Sequence, residues 1–151
     1  MDPLPHRYRS DLTWEIDHRG WLSSPPRPGI LGGPPPQFGG TAEDWSPEHL
    51  LVAAANLCLM LTFLSIAEKS RLPVAQYRSQ AEGVLDKVDG VTRFASIGIR
   101  VELGVDAEER ERAEALLRKA EKHCLVANSL KCPVHVEAVV RATGEPAKVV
   151  A

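Results

Sequence analysis

Cysteine is scarce in this chain, three residues in 151. The number is odd and too small to staple a disulfide scaffold. A cytoplasmic, reducing setting is therefore expected, where a disulfide is transient rather than structural. An excess of one charge sign is missing too. Lys and Arg number 18 against 20 Asp and Glu, a net charge of −2. Nothing in that balance draws the chain to nucleic acid or to an anionic membrane. The opening "MDPLPHRYRS" lacks the apolar run of a secretory signal. No internal repeat is visible, and no two cysteines stand at the close spacing that structural zinc sites use.

What is present suits one domain over residues 1–151, with 44% hydrophobic and 25% charged residues. Tyr8 to Asp17 reads as a strand, with a turn at Asp17 to Gly20 and a partner strand from "GWLSS". Pro25 to Gly40, "PPRPGILGGPPPQFGG", is expected to be a loop, because Pro and Gly exclude a helix or a central strand. A helix then opens at "WSPEHLL": Ser46 is a good N-cap, Pro47 suits the first turn and Glu48 complements the positive helix end. It should stop near Ser70 to Leu72, ahead of Pro73. Leu50 to Ala67 carries no charge, which is near the length of a membrane span. Asn56, Thr62 and Ser65 interrupt it, so a helix buried on most sides within protein fits better.

Two strands should follow, "AQYRSQAEGVLDKV" and "VTRFASIGIRVEL", joined by a hairpin turn at Asp89-Gly90. Val91, Ala95, Ile97, Ile99, Val101 and Leu103 would share one face of the second. Asp106 and Glu109 read as a capping box opening a second helix. Its apolar stripe is Ala113, Leu116, Leu117, Ala120 and Cys124. Val134, Val136, Ala138 and Val140 alternate as a last strand, and the tail from Thr143 is expected to be loose. The order of strands, helix, strands, helix and strand is an α+β pattern.

The cysteines admit three roles. His123, Cys124, Cys132 and His135 offer soft ligands in a short window, but His123 and Cys124 are adjacent on a helix and diverge. Packing is the commonest role of a cysteine on an apolar face. In the middle of an uncharged helix, Cys58 would stay a protonated thiol unless another segment brought it a charge or a hydrogen bond. The third role is a working pair: if the two helices pack, Cys58 and Cys124 have the chance to meet.

"SPEHLLVAAANLCLMLTF" followed by "AEKHCLVANSLK" is similar to the OsmC/Ohr family of thiol peroxidases (osmotically induced and organic hydroperoxide resistance proteins). That family places a cysteine ten residues after the Glu of a Pro-Glu step, as Cys58 follows Glu48 here, and a second at the end of the next helix, as Cys124 does. The resemblance runs from the first strand to Ala142. It implies an OsmC-like α+β fold of antiparallel sheets with two main helices, built as an intertwined homodimer around a central buried helix.

The resemblance also implies a peroxidase with antioxidant function in oxidative stress. Cys58 would be the attacking thiol, Cys124 the resolving thiol, an organic hydroperoxide or hydrogen peroxide the substrate, and a lipoyl-type or other dithiol the reductant, with no cofactor. Leu57, Met60 and Leu61 would suit a greasy alkyl peroxide. Glu48 would assist, from a second copy, since ten residues of straight helix are about 15 Å long. An arginine lowers the thiol's pKa in the Ohr branch; Arg19 in "IDHRGW" is the candidate and Arg27 the fallback. The chain departs from the family at the Pro-rich stretch, at Leu125, where proline is usual, and at the additional Cys132. A dimeric binding protein for a small apolar ligand on the same fold is the alternative.

Overall fold

Two stretches of alternating and turn-forming residues in the first 32 positions build a three-stranded antiparallel sheet: β1 (Asp11–Ile16), β2 (Arg19–Ser24) and β3 (Arg27–Gly32), in that order. The computed structural model describes residues 3–143. They fall into two units divided between Leu51 and Val52.

In the first unit the turn is tighter than expected. Asp17 takes a left-handed φ of 51°, and Arg19 is already the first residue of β2. The Pro/Gly-rich stretch is not loop throughout, because Arg27–Gly32 forms β3. Pro28 is tolerated there because β3 is an edge strand and its register with β2 slips between Leu22 and Ser24. A 3-10 turn at Pro36–Phe38 follows. Trp45 then bridges back to Gly32, and its carbonyl accepts the Gly33 N–H at 3.0 Å. Ser46 caps the next helix as its position suggests: its hydroxyl accepts the His49 N–H at 3.2 Å.

That helix, α1 (Pro47–Lys69), is unbroken. Ala55, Leu59, Phe63 and Ala67 form its buried stripe at one-turn spacing. Its end is a Schellman motif, with Leu72 N–H on the Ala67 carbonyl and Arg71 N–H on that of Glu68, Arg71 standing at φ 54°. By length and composition α1 is the one described helix able to cross a membrane. Within this chain it is fully buried along that stripe and only partly covered beside it, less than burial on most sides: Leu57 and Leu61 are each 55% exposed.

In the second unit, β4 (Gln76–Val88) and β5 (Val91–Val105) form a hairpin, with Asp89 and Gly90 both left-handed at its turn. A bulge leaves Ala95 opposite no residue, since Val84 pairs with Ser96 and Leu85 with Phe94. It changes the phase of the alternation. Ile97, Ile99, Val101 and Leu103 are buried as expected, but Phe94 packs against the core and Val91 is exposed. α1 passes close to β4 at Gly83, where a Cβ would lie 2.7 Å from Val52 and 2.6 Å from the Phe94 ring.

The expected capping box does not form. Asp106 accepts from the Thr143 hydroxyl at 2.8 Å, Glu109 pairs with Arg112, and a 3-10 turn at Ala107–Glu109 precedes α2 (Arg110–His123). Ala113, Leu117 and Ala120 face the core. After a short α3 (Leu125–Asn128), β6 (Val134–Ala142) pairs parallel with β5, with α2 in the crossover. The second sheet, β4-β5-β6, is thus mixed rather than wholly antiparallel, and the α+β class holds. The tail beyond Thr143, expected to be loose, lies outside the described residues.

Candidate functional site

Cys58 lies on α1 beside the buried stripe and packs against the core, half-buried. Cys124 ends α2 as its C-cap, only 1% exposed. The two helices bring the thiols together, and the Cys124 side chain hydrogen-bonds the Cys58 sulfur. Both are free thiols, as is the buried Cys132.

The segment after Cys124 completes this site. A helix leaves its first N–H groups without partners inside the helix. In α3 these are turned to sulfur: Val126 and Leu125 donate to Cys58, and Ala127 and Val126 to Cys124. The polar "NS" step holds the segment in place. Asn128 Nδ2 donates to the Lys122 carbonyl at 3.1 Å, and Ser129 Oγ to that of Leu125 at 2.8 Å.

The two sulfurs are pushed in opposite directions. At Cys58 burial acts to raise the pKa. The Val126 N–H, the Cys124 thiol, the Thr62 hydroxyl and the Leu125 N–H outweigh it and bring the thiol below its ordinary value. At Cys124 burial prevails over the Ala127 and Val126 N–H groups, and the hydrogen bond and charge of Cys58 add to the rise. The thiol that ionises first is therefore the more accessible one.

The sequence expectations do not include Thr62 or the Leu125 and Val126 N–H groups. Thr62 stands one turn after Cys58, and its hydroxyl donates to the Cys58 carbonyl at 2.8 Å. That i, i+4 relation is a readable signal. The backbone donors carry no side-chain signal. Further toward the start of the helix, Asn56 accepts from Ser79 of β4 at 2.7 Å and fixes α1 on the sheet.

Arg19 and Glu48 both line a groove of about 690 Å³ in the first unit, walled by Trp14, Leu22, Phe38 and Trp45. Arg19 meets Asp44 in a two-pronged pair, Nε to Oδ2 at 2.6 Å and Nη2 to Oδ1 at 3.1 Å. The Asp44 carboxyl is held below the usual range by that hydrogen bond. Glu48 Oε2 is buried and has no hydrogen-bond partner among the described residues. Arg27 is at the surface, its Nη1 reaching the Ser24 carbonyl at 3.4 Å. His123 is exposed. Leu57, Met60 and Leu61 are not part of the chain's own core. Among the described residues no three His, Cys, Asp or Glu side chains group as a metal would need, so Cys124, Cys132 and His135 do not converge.

The two-sheet α+β scaffold that carries these thiols is shared with solved OsmC-like proteins. Residues 40–139 match the family model described as OsmC-like protein, and the chain belongs to the OsmC/Ohr family. It is 30% identical over 117 residues to the uncharacterized protein YmaD of Bacillus subtilis, covering 74% of this chain and 78% of that one. A solved OsmC-like protein of unknown function from Vibrio cholerae has the same fold, with TM-score 0.82 and 24% identity over 89% of this chain and 100% of that one. An organic hydroperoxide resistance protein from Legionella pneumophila matches with TM-score 0.68 and 19% identity, over 90% and 98%.

Proposed function

We propose that the chain is a cytoplasmic cysteine peroxidase that reduces organic hydroperoxides. One observation carries this: the half-buried Cys58 thiol of α1 stands against the buried Cys124 thiol at the end of α2, with the first N–H groups of α3 turned to both sulfurs. An attacking sulfur needs to be a thiolate near neutral pH, whereas a resolving sulfur is best kept protonated until it is used. The naming of the Legionella protein as an organic hydroperoxide resistance protein supports the substrate class.

In the first step the Cys58 thiolate attacks one peroxide oxygen. The S–O bond forms, the O–O bond breaks, and the leaving alkoxide takes a proton to become the alcohol. Cys58 is now a sulfenic acid. Cys124 then loses its proton and attacks the Cys58 sulfur; the S–S bond forms and hydroxide leaves as water. A dithiol, of the lipoyl type or another, restores both thiols by two exchanges and departs as its own disulfide. Glu48 would serve from a second copy, because it lies about 15 Å along an unbroken α1 from Cys58; Arg19, which lines the same groove as Glu48, would come with it.

A homodimer is part of this reading. The apolar side of α1 carrying Leu57, Leu61 and Leu64 is exposed in one chain, and a second α1 would cover it. Residues 1–151 would form one OsmC-like domain of that dimer. A second reading, a dimeric binding protein for a small apolar ligand, is favoured only by the aromatic groove of the first unit. Hydroperoxide consumption by the reduced protein with a dithiol decides between them. Turnover lost in Cys58→Ser supports the peroxidase, and no consumption by the unmutated chain leaves the binding protein.

A further inference from the structure

The peroxidase reading assigns an arginine to the attacking thiol, and an arginine's usefulness depends on where its plane is held. A guanidinium has five N–H groups in a rigid fork. In Arg19 two of them are taken by one carboxylate, Asp44, with contacts of 2.6 and 3.1 Å. Asp44 is well placed to hold it. Its side chain is 8% exposed, and its Oδ2 also accepts from the Thr41 hydroxyl at 3.2 Å. Its chain neighbour Trp45 is tied to the sheet through the bridge to Gly32. Glu48, expected to assist Cys58, lines the same groove as Arg19 but has a buried oxygen with no hydrogen-bond partner among the described residues.

We infer that Asp44, not Glu48, is the positioning residue for the site arginine. The pair with Asp44 fixes the guanidinium plane and leaves three N–H groups of Arg19 free for the reacting sulfur or peroxide. Glu48 is left out of the arginine's ion pair and is available to hold or receive a proton. The inference rests on the reading that Arg19 serves Cys58.

The test is the rate of Cys58 alkylation by iodoacetamide across pH, read by mass spectrometry on the reduced full chain. The variants are Arg19→Gln, Asp44→Asn, Glu48→Gln and the Arg19→Gln/Asp44→Asn double variant, with melting temperatures taken alongside. Asp44→Ser replaces the Asn variant if that one does not fold. Arg19→Gln should slow alkylation at pH 7 by about 5–10-fold, the effect of losing a charge that lowers a thiol pKa by under one unit. Asp44→Asn should slow it comparably and move the pH midpoint upward, and the double variant should be no slower than Arg19→Gln alone. A merely structural Asp44 would lower the melting temperature and leave the midpoint where it was, which overturns the inference. So does a Glu48→Gln variant that behaves like Arg19→Gln while Asp44→Asn does not. If Arg19→Gln itself leaves the rate unchanged, the role of Arg19 fails first, and the inference with it.

Discussion

The Cys124 thiol stands against the Cys58 sulfur, and the two titrate unequally: against burial, the Val126 N–H with the Cys124, Thr62 and Leu125 donors takes Cys58 below its ordinary value, while burial takes Cys124 above it and Cys58 adds to that rise. Cys58 should therefore react with an alkylating agent at a pH below the ~8.5 midpoint of an ordinary thiol, and Cys124 above it. The thiolate is the reactive form, so the rate at each cysteine rises as pH climbs through its own pKa. In Cys58→Ser the Cys124 midpoint should fall, because the neighbouring charge is gone. It should stay above the ordinary value, because burial, the leading cause, remains. Site-resolved labelling across a pH series spanning both midpoints checks this. Equal midpoints for the two thiols in the unmutated chain contradict the contact.

Thr62 has one hydroxyl proton and two nearby acceptors, the Cys58 carbonyl and the Cys58 sulfur. Thr62→Val removes the donor and keeps the shape. The Cys58 midpoint should rise by less than one unit, about 1 kcal/mol for one hydrogen bond. The same labelling measures it, and an unmoved midpoint excludes Thr62 from the thiolate's environment.

Much of this site is legible in the amino-acid order alone. Ser46, Pro47 and Glu48 announce α1, the alternation from Ile97 to Leu103 announces a buried strand, and the ten-residue step from Glu48 to Cys58, with Cys124 at the end of the next helix, carries the family resemblance. What is not legible depends on partners distant in sequence. Asp106 looks like half of a capping box, but Thr143, far along the chain, claims its carboxylate. Arg19 finds Asp44 25 positions away. The bulge at Ala95 exchanges Val91 for Phe94 in the core, and strict period-two reading has no means of seeing an inserted residue. The donors at Cys58 are largely backbone N–H groups, which every sequence contains.

Phe63 sits fully buried on α1, against Tyr77 with ring centroids 5.8 Å apart. Phe63→Ala should cost about 3–5 kcal/mol. Gly83→Ala should also destabilise, by about 1–3 kcal/mol, since its Cβ would crowd Val52 and the Phe94 ring. Urea unfolding of each variant gives the numbers; a Gly83→Ala variant as stable as the parent contradicts the close passage of α1 over β4.

Leu57 and Leu61 are exposed on α1 in a single chain. If a second α1 covers them, Leu57→Asp/Leu61→Asp should convert a dimer to a monomer. Sedimentation velocity at micromolar concentration reads the change. A parent protein that sediments as a monomer removes the dimer, and with it the proposed arrival of Arg19 and Glu48 from a second copy.

The most direct measurement is the location of the disulfide after oxidation. Reduced protein receives one equivalent of an organic hydroperoxide, free thiols are blocked, and the linked peptides are identified by mass spectrometry. The expected result is a rapid Cys58–Cys124 link that is absent in Cys58→Ser, with Cys132 still free. Three unreacted thiols after prolonged exposure contradict the peroxidase, and a Cys58–Cys132 link contradicts the resolving role of Cys124.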